Sequence, residues 1–180
     1  MSGEKKGLLA ALTRLLSGEE TGQVAPRGAD RLAAIVATRM PEADEDTVRI
    51  VTAVAGLLAC VAYADRALEP REEARLREEL SRLHGLSAEG ADAITTVVRE
   101  EIAAVTATGD QRWVRDLREL ADRAMRVEVL EVLVDLAAAD DELVLAEVNY
   151  LRRLTTALGL EQSDYDAAQE RHRDKLSTLR

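Results

Sequence analysis

The sequence predicts an all-α fold, a helical bundle of about seven to nine helices, and three observations carry that expectation. Apolar residues make up 47% of the 180 and aromatic residues only 2%, with no Phe. The core must therefore be Leu, Val, Ile and Ala, which pack well between helices and poorly support a β-sandwich. No segment alternates apolar and polar residues with the period of two that a half-buried strand requires. Finally, residues 57–76 (LLACVAYADRALEPREEARL) recur, offset by 75, at residues 132–151 (VLVDLAAADDELVLAEVNYL). Each copy reads as a helix, a short acidic turn and a second helix.

Seven of the 20 aligned positions are identical: Leu58/Leu133, Ala62/Ala137, Ala64/Ala139, Asp65/Asp140, Leu68/Leu143, Glu72/Glu147 and Leu76/Leu151. The duplication predicts two αα-hairpins related by a pseudo-two-fold axis. A chain of this length suits one domain, or one compact pair of similar halves.

Residues 5–16 place Leu8, Leu12, Leu15 and Leu16 on one face of an amphipathic helix suited to docking on the domain or on a partner. Peripheral membrane association is the minor alternative, because the polar face is not strongly basic. Ser17–Gly28 has linker composition, which sets residues 1–28 apart from a helical domain over 29–180. A helix over 30–40 stops at Pro41. The next, over 47–64, carries Ile50, Val51, Val54, Leu57, Leu58 and Val61 and is expected to be the most buried element.

Pro70 suits the first turn of a helix over 70–84, with Gly85 as its left-handed stop and Leu86 folding back. Ser87 caps a helix that runs to Thr106. A helix over 111–125 has Trp113, Val114, Leu117 and Leu120 as its apolar side. The helix over 127–139 repeats the buried one, and that over 145–158 is stopped by Gly159. Ser163 is expected to cap a final charged helix.

The net charge is −10, and the basic residues, nearly all Arg, are interleaved with Glu and Asp. That pattern describes solvated helix faces with pairing four residues apart. It disfavours nucleic acid, and no nucleic-acid partner is expected, since there is no basic block and no aromatic stacking platform. Cations or a protein partner with basic character remain compatible. Cys60, the single cysteine, cannot form an internal disulfide and reads as a small core hydrophobe. No secretory signal is expected, because Arg14 interrupts the apolar stretch Gly7–Leu16, and no apolar run is long enough to span a bilayer. These features describe a cytoplasmic protein. His84, just before the glycine stop, reads as a counter to the helix dipole. No GxSxG, P-loop, HExxH or dinucleotide fingerprint occurs, so no enzymatic activity is expected.

The chemistry that remains lies in the acidic turns. Asp65 and Asp140 close their helices, where a carboxylate faces the negative end of the dipole and needs a compensator. Glu72 and Glu147 lie in the first turns of the helices that follow. One compensator is structural: turn amides donate to the Asp, and the first-turn Glu accepts from free backbone N–H groups. The other is a cation. If the turns converge, Asp65, Glu72, Asp140 and Glu147 form an oxygen-only set suited to Ca²⁺, Mg²⁺ or Mn²⁺, with Glu73, Asp141 and Glu142 nearby. An EF-hand is excluded, since Leu145 and Leu151 stand where that loop needs Gly and Glu.

At Val61-Ala62-Tyr63-Ala64-Asp65 and Leu136-Ala137-Ala138-Ala139-Asp140 the chain resembles the TerB-like family, which includes tellurite-resistance proteins and the amino-terminal domain of DjlA-type membrane co-chaperones. The matching residues are Ala64, Asp65, Leu68, Glu72 and Leu76, then Ala139, Asp140, Leu143, Glu147 and Leu151, within about residues 29–170. Arg66 and Asp141 replace the glycine that follows the family's Asp. Val144-Leu145-Ala146 stands where a capping residue is expected in the second copy. The resemblance implies a cytoplasmic helical bundle, a divalent-cation site at the acidic turns, and work in stress-response or membrane-associated complexes. The alternative is a purely structural interaction domain with no metal.

Overall fold

The computed structural model describes residues 28–63, 70–83, 85–107, 110–138 and 145–172. Eight helices and no strand occur among these residues. They are α1 (Gly28–Arg39), α2 (Glu45–Ala62), α3 (Pro70–Ser81), α4 (Ala88–Ala107), α5 (Asp110–Leu120), α6 (Arg123–Ala137), α7 (Leu145–Ala157) and α8 (Gln162–Glu170). The expected all-α bundle is present. The helix anticipated over 5–16, the linker up to Arg27, His84, Asp65 and Asp140 lie outside the described residues.

Helix α2 is the hub. Eleven of its 18 residues are buried, and α1, α3, α4, α5 and α6 all pack against it. Its continuous apolar sequence is the cause: an 18-residue helix without a polar stripe must be covered on most sides. Asp44 starts it by accepting from the Thr47 N–H at 2.7 Å. Asp122 starts α6 in the same way, accepting from Met125 N–H at 2.8 Å.

That second cap corrects one expectation. The helix anticipated over 111–125 ends at Leu120, because Asp122 adopts an extended backbone and opens α6 three residues before Met125. At the start of α8 the cap is Glu161 instead of Ser163: Glu161 and Asp164 form a reciprocal capping box, which leaves Ser163 inside the first turn. Ser87 does cap α4, accepting from Gly90 N–H at 3.1 Å.

Gly159 stops α7 where expected, but α3 ends at Ser81, short of the expected 84, because the Arg82 and Leu83 N–H groups turn to the Glu79 and Leu80 carbonyls at 3.1 Å and close the helix before Gly85 is reached. Gly85 and Gly159 have φ of 82° and 71°. After α7 the Leu160 N–H reaches the Thr155 carbonyl and the Gly159 N–H that of Thr156, each at 3.0 Å, which is a Schellman closure. Leu86 and Leu160 each fold back and are 7% exposed.

The duplication is larger than two hairpins. Shifted by 75 residues, α8 (162–170) falls on residues 87–95, the first half of α4. Helix α4 packs on α2 and α3, as α8 packs on α6 and α7. The repeating unit is therefore α2-α3-α4 followed by α6-α7-α8. Contacts between the copies obey the same exchange. Cys60 of α2 faces Tyr150 of α7. Their equivalents are Asp135 of α6 and Arg75 of α3, and both of these act on Glu79.

Helix α5 departs from the symmetry, since it lays Trp113 over Gly56 of α2. A Cβ at Gly56 would lie 2.4–2.7 Å from the indole, and Trp113 is only 1% exposed. A buried ring has little room to move aside, so the overpacking outweighs the helix propensity that alanine adds. Gly56→Ala is predicted to lower stability by about 1–3 kcal/mol in urea unfolding; an unchanged or raised midpoint would contradict this packing.

Candidate functional site

The acidic segments 64–69 and 139–144, which follow α2 and α6 in the sequence, lie outside the described residues. Glu72 lies in the first turn of α3 and Glu147 in the first turn of α7, both half-buried, so the equivalence expected from the repeat holds for this pair. Each takes part in a polar interaction of its own. Their partners in the expected set, Asp65 and Asp140, lie outside the described residues, as do Asp141 and Glu142. Glu73 is committed elsewhere: Arg99 of α4 donates to it at 3.0 Å. Among the described residues no three His, Cys, Asp or Glu side chains come together as a metal-ligating group.

The chemistry of the donor set nonetheless suits a hard cation. Carboxylate oxygens alone are offered, and Glu72 and Glu147 stand at matching positions of two copies packed into one bundle. No histidine or thiol enters the set, which disfavours Zn²⁺.

A second polar centre was not anticipated. Glu79 is buried at 1% exposure and is held by Arg75 of its own helix at 3.1 Å and by Arg82, just past the end of that helix, at 2.8 Å. Burial pushes its carboxyl up from the ordinary 4.5, against the two guanidiniums that pull it down, and Asp135 adds to the upward push. Asp135 is itself bonded to His172 at 2.7 Å and approached by Arg171, which pins the end of α8 to α6. The sequence held one signal of this: Asp135 is the charged residue at the position where the first copy has Cys60.

Cys60 is half-buried, and its thiol is pushed up to about 12, first by burial and then by Asp110. The Tyr150 hydroxyl opposite is buried without a well-formed hydrogen bond and is likewise pushed up by burial. A thiol so placed has almost no thiolate at neutral pH, so the core role expected for Cys60 agrees with its surroundings.

The third feature is an apolar groove of about 420 Å³ between α2, α3 and α6. Its walls include Ile50, Val54, Leu83, Met125, Val129 and Val132, and Glu79, Arg82 and Glu128 also border it. Ile50/Met125 and Val54/Val129 are pairs at the repeat offset of 75, so the groove lies where the two copies meet. Met125 is 40% exposed there.

An all-α module made of two copies of a three-helix unit, with a first-turn glutamate repeated in each, is what these observations define. The family model described as tellurite resistance protein TerB matches residues 51–170, two-thirds of the chain and both copies of the unit, and the chain belongs to that family. No curated protein and no solved structure matches it. No helix among the described residues is long and apolar enough to cross a membrane.

Two outcomes follow from the buried groups. The folded chain holds the Glu79 proton more tightly than the unfolded chain does, so this group stabilises most below the ordinary 4.5 and that contribution is lost as pH rises through its raised value. Measured by urea unfolding between about pH 4 and 7, wild type should lose stability relative to Glu79→Gln as pH rises; a flat difference, or one of opposite sign, contradicts the burial effect. For Cys60, alkylation by iodoacetamide at neutral pH should be at least ~100-fold slower in the folded chain than in urea. Comparable rates would place the thiol in solvent.

Proposed function

We propose that the chain is a binding module of the TerB family whose acidic turns hold a divalent cation through Asp65, Glu72, Asp140 and Glu147. One observation supports it above the others: Glu72 and Glu147 occupy equivalent first turns of α3 and α7, in a chain whose family match spans both copies. A carboxylate at a helix C-terminus meets like charge, and a hard cation offsets both the repulsion between acids and the unfavourable dipole. In this role the four carboxylates tie the α2–α3 and α6–α7 corners to the ion, and the module binds instead of catalysing. Ca²⁺, Mg²⁺ and Mn²⁺ suit an oxygen-only set. Cytoplasmic work in a stress-response or membrane-associated complex, with a protein partner, goes with this reading.

The second reading is an interaction domain that needs no metal, with the carboxylates acting as caps. The exposed apolar groove around Met125 favours it.

Thermal unfolding with added Ca²⁺, Mg²⁺ or Mn²⁺ separates the two. A bound cation should raise the melting temperature progressively with the logarithm of its concentration above Kd, by about 2.7 kcal/mol of stability at a concentration 100 times Kd. Asp140→Ala or Glu147→Gln should remove that dependence. A melting temperature indifferent to all three ions, with Asp65→Ala costing only the ~1 kcal/mol of a lost cap, would leave the interaction domain.

A further inference from the structure

We propose that the groove between α2, α3 and α6 is the docking site for residues 5–16 of this same chain, with Leu8, Leu12, Leu15 and Leu16 filling it. The groove is apolar on its walls and wide enough for several side chains, at about 420 Å³. Met125 is one of two large hydrophobic residues that the described part of the chain leaves exposed, the other being Leu145. An apolar surface of this kind, bordered by charge, marks a contact.

The occupant is identified by pattern, charge and reach. Leu8, Leu12, Leu15 and Leu16 recur at the spacing of one helix face, the pattern by which an amphipathic segment enters an apolar groove. Residues 1–16 carry Lys5, Lys6 and Arg14 against a single acid, Glu4, in a chain whose net charge is −10. This basic segment therefore meets an acidic domain, and Glu128 lies exposed at the groove.

Reach is sufficient. The groove borders the first half of α2, which begins just after α1 ends, so it lies about one length of α1 from Gly28, roughly 18 Å for 12 residues. Residues 17–27 can span up to about 36 Å when extended. A tether of that length also keeps the segment at an effective concentration on the order of millimolar, so a modest apolar contact is well populated.

Disulfide trapping in the full chain tests this. With Cys60→Ala as background, Leu12→Cys is combined with Met125→Cys, and in a control with Arg153→Cys on the exposed side of α7. Val132→Cys replaces Met125→Cys if the first variant fails to give a native circular dichroism spectrum. The expected product is a monomer with an internal disulfide. It should form at a rate independent of protein concentration and at least ~10-fold faster than in the control. Leu8→Glu with Leu15→Glu should reduce the rate to that of the control. A disulfide-linked dimer would assign the groove to a second copy and overturn the proposal. So would a rate no faster than the control, which leaves the groove to another partner, or a rate indifferent to the two glutamates.

Discussion

The bundle depends on the burial of α2. A run of apolar residues this long has no face to give to water, so it must be enclosed, and five other helices supply the enclosure. One of them, α6, is the same element in the second copy. The two repeats are therefore not beads on a string, since each completes the other's core. Val54 and Val129, equivalent by sequence, border one groove, and Cys60 and Asp135, equivalent likewise, each face the second helix of the other copy.

Symmetry of this kind places matching side chains in matching posts, which is why the first-turn glutamates are informative as a pair. A lone Glu in the first turn of a helix is ordinary capping chemistry. Two of them, carried at equivalent positions by duplicated units, show that the repeat extends to the first turns of α3 and α7. The copies have also diverged. Where the first has the thiol of Cys60, the second has Asp135 bonded to His172. Where the second has the Tyr150 ring, the first has the Arg75 guanidinium on Glu79. An apolar pair on one side of the bundle thus corresponds to an ionic network on the other.

Much of the fold was legible in the sequence because its signals are local. The buried helix followed from Val51, Val54, Leu57 and Leu58, and the stop at Gly159 followed from a backbone that only glycine adopts easily. The break between α5 and α6 was expected but placed too late in the sequence, after 125 instead of after Leu120, because Asp122 sits inside an otherwise helical pattern and only its extended backbone distinguishes a cap from an exposed helical acid. Ser163 lost the cap of α8 to Glu161, a residue type less often found there, because Asp164 answers it three positions on. The Glu79 network and the groove depend on residues from α2, α3, α6 and α8 meeting in space. Hydrophobic periodicity assigns a residue to a face and says nothing of which other face covers it. The acidic turns were legible as a pattern, and the described residues carry half of the pattern.

The claim on which all this rests is that the two units share one core. Native-state hydrogen exchange with mass spectrometry tests it directly. If the copies complete each other, amides of α2 around Leu57–Ala59 and of α6 around Leu133–Val134 exchange only through global unfolding, with the same free energy and the same dependence on denaturant. Opening of one helix at a distinctly lower free energy, while the other stays protected, would mean two separable halves and would contradict the account.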